Sequence, residues 1–289
     1  MSQLVVQLLN GFVLGTLYVL MALGLSIIFG MIGVVNFAHG VLFALGAYLA
    51  TALSPAIGFG PTLIVSPLAV ALIGMAIEAG LLRRVYAGDP SLGLLLTFGI
   101  ALIVEQGIRF VWGPAGLPFN IPGLFSGLLQ AGGIQYSTYR AFILVFTGTL
   151  LAATWLFLEK TPYGRIIRAG SRDPEMVQMM GIDLSNIFTV VFGIGTVMAA
   201  AAGVLAAPLW GVHPAMGTSA LLPSFAVVTI GGLGSFWGAV LTGILVGELV
   251  GLTVMLWPIA SDLIIYVLMA FVLLVRPRGL LGEVWERFD

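Results

Sequence analysis

Apolar residues fill this chain in long blocks. No Asp, Glu, Lys or Arg occurs before Glu78, and the first block runs from Leu4 to about Val35. A helix needs about 20 apolar residues to cross a hydrocarbon core of roughly 30 Å. Blocks of that length fall near 4–29, 33–53, 61–81, 92–112, 139–158, 187–209, 222–251 and 254–275. The pattern predicts an all-α, polytopic bundle of about eight membrane segments forming one transmembrane domain over 1–289. The opening block has neither a charged n-region nor a small-residue cleavage signature, so it reads as a span and not as a removed signal peptide.

Composition agrees and removes several function classes. The chain is 60% hydrophobic and 8% charged, where soluble domains carry about 25% charged residues. A net charge of -1 gives no sign of a nucleic-acid partner, and the absence of cysteine excludes disulfides, thiolate metal sites and cysteine nucleophiles. The single lysine, Lys160, follows Glu159 and has no phosphate-binding loop around it. Any ATP hydrolysis would therefore need another chain.

The basic residues set an orientation. Arg83 and Arg84, then Lys160, Arg165, Arg168 and Arg172, then Arg276 and Arg278 form three groups, which the positive-inside bias places in the cytoplasm. Between the outer loop at Gly211 to Thr218 and Arg276, the chain must then cross an odd number of times, yet residues 222–275 hold two span-lengths. A broken, re-entrant element turning at Gly231-Gly232-Leu233-Gly234-Ser235 resolves the count; a flexible loop between two ordinary spans is the alternative. Non-helical backbone at membrane depth needs cover from protein or a water-filled cavity, as in transporters with discontinuous helices. The N-terminus falls outside if the first three spans are simple, and Asn36 to Gly40 is a second candidate break.

After the Gly231 break, Ser235, Ala239, Gly243, Gly247 and Gly251 recur every four residues and leave one helix face small enough for close backbone approach. That face suits packing against another helix of the chain or against a second subunit. A charge near mid-bilayer costs about 2.5 to 3.5 kcal/mol on insertion scales, so each acid needs a partner or a cavity. Glu105 and Arg109, four apart, can pair on one helix face; Glu248 and Asp262 have no partner nearby in sequence. Asn36 and His39 share one face if helical and, with Gly40, are candidates either for interhelical hydrogen bonds or for lining a passage. His213 is the only other histidine, and no metal-binding or catalytic constellation stands out.

The remaining polar feature is the segment from Pro162 to Asp183, which reads as two short helices. Arg165, Arg168 and Arg172 align at i, i+3 and i+7; Asp173 can cap a second helix with Pro174 at its first position, and Gly181 suits its end. Met176, Met179 and Met180 give that helix an apolar, adaptable patch. The segment can lie on anionic lipid or seat in a cytoplasmic partner subunit.

Four pieces in register resemble the branched-chain amino acid ABC transporter permease family, over essentially the whole chain. They are the Pro162–Asp183 platform; Asn36-Phe37-Ala38-His39-Gly40 with Gly46-Ala47-Tyr48; Val228 to Ser235 with Gly238-Ala239; and Arg276-Pro277-Arg278-Gly279-Leu280-Leu281-Gly282. The chain is most similar to the shorter of the two permeases paired in that system, while Phe236-Trp237 departs from the small or proline-containing pair expected there. The resemblance implies an importer subunit in the bacterial inner membrane, with a second permease, cytoplasmic ATPase chains that hold the ATP and magnesium, a periplasmic binding protein and membrane lipid as partners, and no cofactor in this chain. It implies a coupling segment at 160–186, carried by Gly164, Arg165, Arg168, Ala169, Arg172, Asp173, Met176, Met180 and Gly181, and a cytoplasmic tail at 276–289. The expected pathway residues are Asn36, His39, Gly40, Gly231, Gly232, Gly234 and Ser235. Branched-chain or other hydrophobic amino acids are the implied cargo; urea or short amides, and an ion-coupled carrier using Asp262, Glu248 or His39, are the alternatives. The outer loop from Trp112 to Tyr139 is either a docking site for the binding protein or a passive exterior loop.

Overall fold

A computed structural model describes residues 2–86, 88–131 and 134–282; of the tail at 276–289, residues 283–289 lie outside the described part. The helices in chain order are α1 (Ser2–Ile32), α2 (Ala38–Ile57), α3 (Phe59–Gly80), α4 (Pro90–Trp112), α5 (Thr138–Lys160), α6 (Pro162–Arg172), α7 (Pro174–Met179), α8 (Leu184–Trp210), α9 (Met216–Gly231), α10 (Phe236–Leu256) and α11 (Leu263–Val275). A two-stranded antiparallel hairpin, β1 (Leu128–Ala131) and β2 (Ile134–Ser137), lies between α4 and α5. Seven helices are long and apolar enough to cross a membrane, while α9 and α11 are apolar but shorter. The chain is therefore an all-α polytopic bundle.

Small residues decide which helices occupy the centre. The most apolar windows of α1 and α8 are each 83% buried, against 22% and 17% for α4 and α5, which form the periphery. Glycine facing glycine lets α1 meet α10 antiparallel: a β-carbon on Gly11 would lie 2.9 Å from the Gly247 carbonyl oxygen, and one on Gly15 at 2.9 Å from that of Gly243. Of the stripe, Gly243, Gly247 and Gly251 thus face α1 of their own chain, with Gln7 Nε2 donating to the Gly251 carbonyl oxygen at 2.8 Å, and Ala239 is buried. On α8, Gly195 and Gly203 take the close approach of Gly24 in α1 and Phe43 in α2. Contact of this kind holds helices together in lipid, where tails compete with any apolar face.

The break after α9 is present, but its depth differs from the sequence expectation. Gly232 and Gly234 have positive φ, 103° and 81°, and Ser235 caps α10 by accepting from Gly238 N at 3.1 Å. The C-terminal tail closes this turn: Leu280 N donates to Ile230 O at 2.7 Å and Leu281 N to Gly231 O at 3.0 Å. Gly30, near the end of α1, also abuts Gly234. The turn therefore sits at the basic end of the bundle beside Arg276 and Arg278 and is not a re-entrant break at mid-depth. Of the helices that follow the outer loop, α10 is long and apolar enough to cross a membrane, and α9 and α11 are shorter apolar helices on either side of it.

Irregular backbone at depth occurs elsewhere. Past Ile32 the chain turns at Gly33, with φ 75°, and leaves the helix until Ala38. His39 then bonds to the carbonyl of Met21, which lies eleven residues before the end of α1. At 1.5 Å per residue that is about 16 Å from the basic end, so α2 starts well inside the bundle. Protein supplies the partners that buried backbone requires: Phe37 N donates to Thr97 Oγ1 at 3.2 Å, and Ala38 N to Asn36 Oδ1 at 3.0 Å.

Candidate cytoplasmic coupling site

The platform is built from local capping chemistry. Thr161 Oγ1 accepts from Gly164 N at 3.0 Å and starts α6, with Pro162 in its first turn. Asp173 Oδ1 accepts from Met176 N at 2.8 Å and starts α7 behind Pro174. Gly181, φ 82°, ends the second helix, and Asp183 Oδ1 accepts from Ser185 N at 2.9 Å to start α8. Three caps within 25 residues leave little slack between α5 and α8, since each fixes an entry angle and satisfies N–H groups that would otherwise be orphaned.

One side of this segment is anchored and the other is open. Gly164, Ile167, Gly170 and Val177 are buried; a β-carbon on Gly170 would come 2.7 Å from the Met31 methyl at the end of α1. Facing away, Met176, Met179 and Met180 are 55%, 80% and 74% exposed, with Tyr163 at 57%. Gln178, Gly181, Ile182, Asp183, Leu184, Ser185 and Phe188 line a shallow depression beside them. Arg165, Ala169, Arg172 and Asp173 are also exposed. Arg168 turns back to the end of α5, donating to Glu159 Oε2 at 2.7 Å and to the Leu158 carbonyl. Three methionines outside the apolar spans form a contact surface that can repack around a partner. At the same end Asp89 caps α4 through Ser91 N, and that N–H holds its carboxyl below the usual range.

The residues expected along a pathway fall into two separate places. His39 is fully buried, its Nε2 3.1 Å from the Met21 carbonyl oxygen, and Gly40 abuts Gly217 of α9. Asn36 is buried too, but it precedes α2, so it does not share a helical face with His39. Gly231, Gly232, Gly234 and Ser235 make the turn at the basic end. Of the intramembrane charges, Arg109 and Glu105 pair at 2.7 Å. Glu248 Oε2 is buried with no hydrogen-bond partner among the described residues, and Asp262 is exposed at the start of α11.

The outer loop is tied down. Leu117 N donates to Val212 O at 2.7 Å, Tyr136 Oη donates to Leu9 O at 3.0 Å, and Arg140 donates to Asn10. Phe59, Phe125, Tyr139 and Phe142 pack beneath it, with the Phe125 and Phe142 rings stacked at 4.3 Å. Sequence reasoning also missed a polar cluster joining α3 to the start of α8: Glu78, Arg83, Thr189 and Ser185. Its one visible signal is an acid inside an apolar span, five residues before the first arginine.

Comparison with known proteins adds a consistent result. Residues 7–273 match the family described as branched-chain amino acid transport system, permease component. The high-affinity branched-chain amino acid transport system permease protein BraD of Pseudomonas aeruginosa is 31% identical, over 96% of this chain and 95% of its own length. LivH of Escherichia coli K12, a permease protein of the same description, is 30% identical over 96% and 95%. LivM of that organism, a further permease protein of such a system, is 29% identical over 92% of this chain and 68% of its own length.

Proposed function

This chain belongs to the branched-chain amino acid transport permease family, and we propose that it is one membrane-spanning subunit of an ABC importer for branched-chain or other hydrophobic amino acids. A second permease completes the path, ATPase chains on the cytoplasmic side supply the energy, and a periplasmic binding protein delivers the cargo across a bacterial inner membrane. ATP and magnesium belong to the ATPase chains, and this chain needs no cofactor of its own.

The observation that carries this reading is the platform. Residues 161–183 are held at three caps, anchored inward by Gly164, Ile167, Gly170 and Val177, and open outward through Met176, Met179 and Met180. ATP-driven closure of the ATPase chains would press on α7, and the continuous frame from α5 through α6 and α7 to α8 would carry that movement into the bundle. Arg165, Arg168, Ala169 and Arg172 border the seat. Since α8 is buried centrally against α1, α2 and α3, a movement at Leu184 reaches the core directly.

The irregular backbone at 33–37 is the element of the core suited to change shape. Asn36 and His39 hold it from within, and the Gly232 to Ser235 turn forms the floor of the bundle beneath α10. Purification from its host membranes tests the assembly: ATPase chains and a second permease should accompany this chain, and reconstituted vesicles supplied with the binding protein should take up leucine only when ATP is present on the side that carries the ATPase chains. Uptake by this chain alone, driven by an ion gradient, would overturn the proposal.

A further inference from the structure

At the cytoplasmic end of α3, Glu78 has no solvent exposure. Its Oε2 accepts from Thr189 Oγ1 at 2.5 Å and from Arg83 Nη2 at 3.3 Å. The same Nη2 donates to the Ser185 carbonyl oxygen at 3.0 Å and to the Thr189 hydroxyl oxygen. Ser185 and Thr189 lie in the first two turns of α8, immediately after the Asp183 cap where the platform ends. One guanidinium therefore bridges the end of α3 to the point at which α7 feeds into the core.

The rest of the α3–α8 contact is close packing at small residues. A β-carbon on Gly74 of α3 would lie 2.6 Å from Thr196 Oγ1, and one on Gly193 of α8 would lie 2.9 Å from Met75 Sδ. Each glycine takes a side chain of the facing helix, packing that holds the two helices together in lipid, and the polar joint adds a directional bond at the end where α7 enters. The polar joint also has spare partners. Nη2 carries two hydrogens and meets three acceptors, while the single Thr189 hydroxyl hydrogen is shared between Glu78 Oε2 and the Ser185 carbonyl oxygen at 3.2 Å. Bonds can exchange at Glu78 Oε2, which keeps Arg83 or Thr189 as a partner, while Glu78 Oε1 and Arg83 Nε are buried with no hydrogen-bond partner among the described residues.

We propose that Arg83 is a positioning residue that ties α3 to α8, so that a movement of α6 and α7 is passed to both helices as one body. This rests on the platform being the seat of the ATPase chains. A bond at the lever's point of entry is also placed to matter for coupling beyond any effect on stability.

The chain contains no cysteine, so spin labels on Leu81→Cys and Asn186→Cys report the α3–α8 separation without further changes to it. Both positions are exposed. In the assembled transporter in lipid vesicles, the label separation should stay single-valued with and without trapped ATP. In Arg83→Gln it should broaden or split, with ATPase binding retained and amino acid taken up per ATP falling about 2- to 30-fold. Arg83→Gln leaves Glu78 buried without its cation and can fail to accumulate. Glu78→Gln combined with Arg83→Gln repeats the measurement with no buried charge, and recovery of thermal stability without recovery of the uptake ratio is the expected result. Wild-type label separation and wild-type uptake per ATP in that double variant would overturn the proposal. A wild-type chain that binds no ATPase would strike the platform reading instead; the nucleotide-free label distribution, narrow in wild type and broad in Arg83→Gln, still decides the tie.

Discussion

A β-carbon on Gly164 would overlap the carbonyl oxygen of Leu158. The first turn of α6 is therefore seated directly on the last turn of α5, and the direction in which the platform leaves the membrane depends on a residue with no side chain. Gly164→Val should lift α6 from that seat. Overpacking costs about 1 to 3 kcal/mol, affordable for a large bundle, so the protein should accumulate while ATPase chains bind it weakly. Co-purification of the ATPase at the wild-type ratio would show that the seat does not set the platform's direction.

Arg168 separates charge from structure at the same place. Its pair with Glu159 is about half exposed on both sides, and exposed pairs contribute about 0 to 1 kcal/mol. Arg168→Glu should leave the melting temperature almost unchanged, turn the pair repulsive and tilt α6. The expected outcome is ATP hydrolysis that continues while leucine uptake falls. Equal uptake in variant and wild type would remove Arg168 from the coupling surface.

Much of the platform was legible because its signals are local. Asp173 precedes its helix at a cap position with Pro174 behind it, and Gly181 marks an end; Thr161 and Asp183 are caps of the same kind that the structure added, and such chemistry acts within four residues. The depth of the Gly231 to Ser235 turn was not legible, because it is fixed by Leu280 and Leu281, some fifty positions later. The apolar helices α9 and α11 are also shorter than a span, so the three helices α9, α10 and α11 were read as two span-lengths. The Glu78 and Arg83 cluster stayed hidden for the same reason: its third member, Thr189, is over one hundred residues away and looks like any other threonine in an apolar helix.

Whether the glycine stripe of α10 serves this chain or a partner can be decided by size. A β-carbon on Gly247 would overlap the Gly15 backbone, whereas nothing lies within 4 Å of one on Gly107 in peripheral α4. Gly247→Leu should sharply reduce the amount of folded chain, even when it is produced alone, and Gly107→Leu should be neutral. A Gly247→Leu chain that melts normally alone yet fails to bind the second permease would move the stripe to the subunit interface.

The turn at Gly234 permits a sharper comparison, since a filled pathway and a strained turn respond to different properties of the substituted residue. At φ 81° the backbone lies in the left-handed region, which costs a residue with a β-carbon about 1 to 2 kcal/mol, and which asparagine visits more readily than β-branched residues do. Gly234 also touches Gly30, so bulk is tolerated only if it points away from α1. If conformation governs the site, Gly234→Asn should retain more uptake and a higher melting temperature than Gly234→Val, despite their similar size. Because the turn lies at the floor of the bundle, residual uptake should follow the amount of folded protein in both variants. Full accumulation of Gly234→Asn with no uptake would return this turn to the pathway itself.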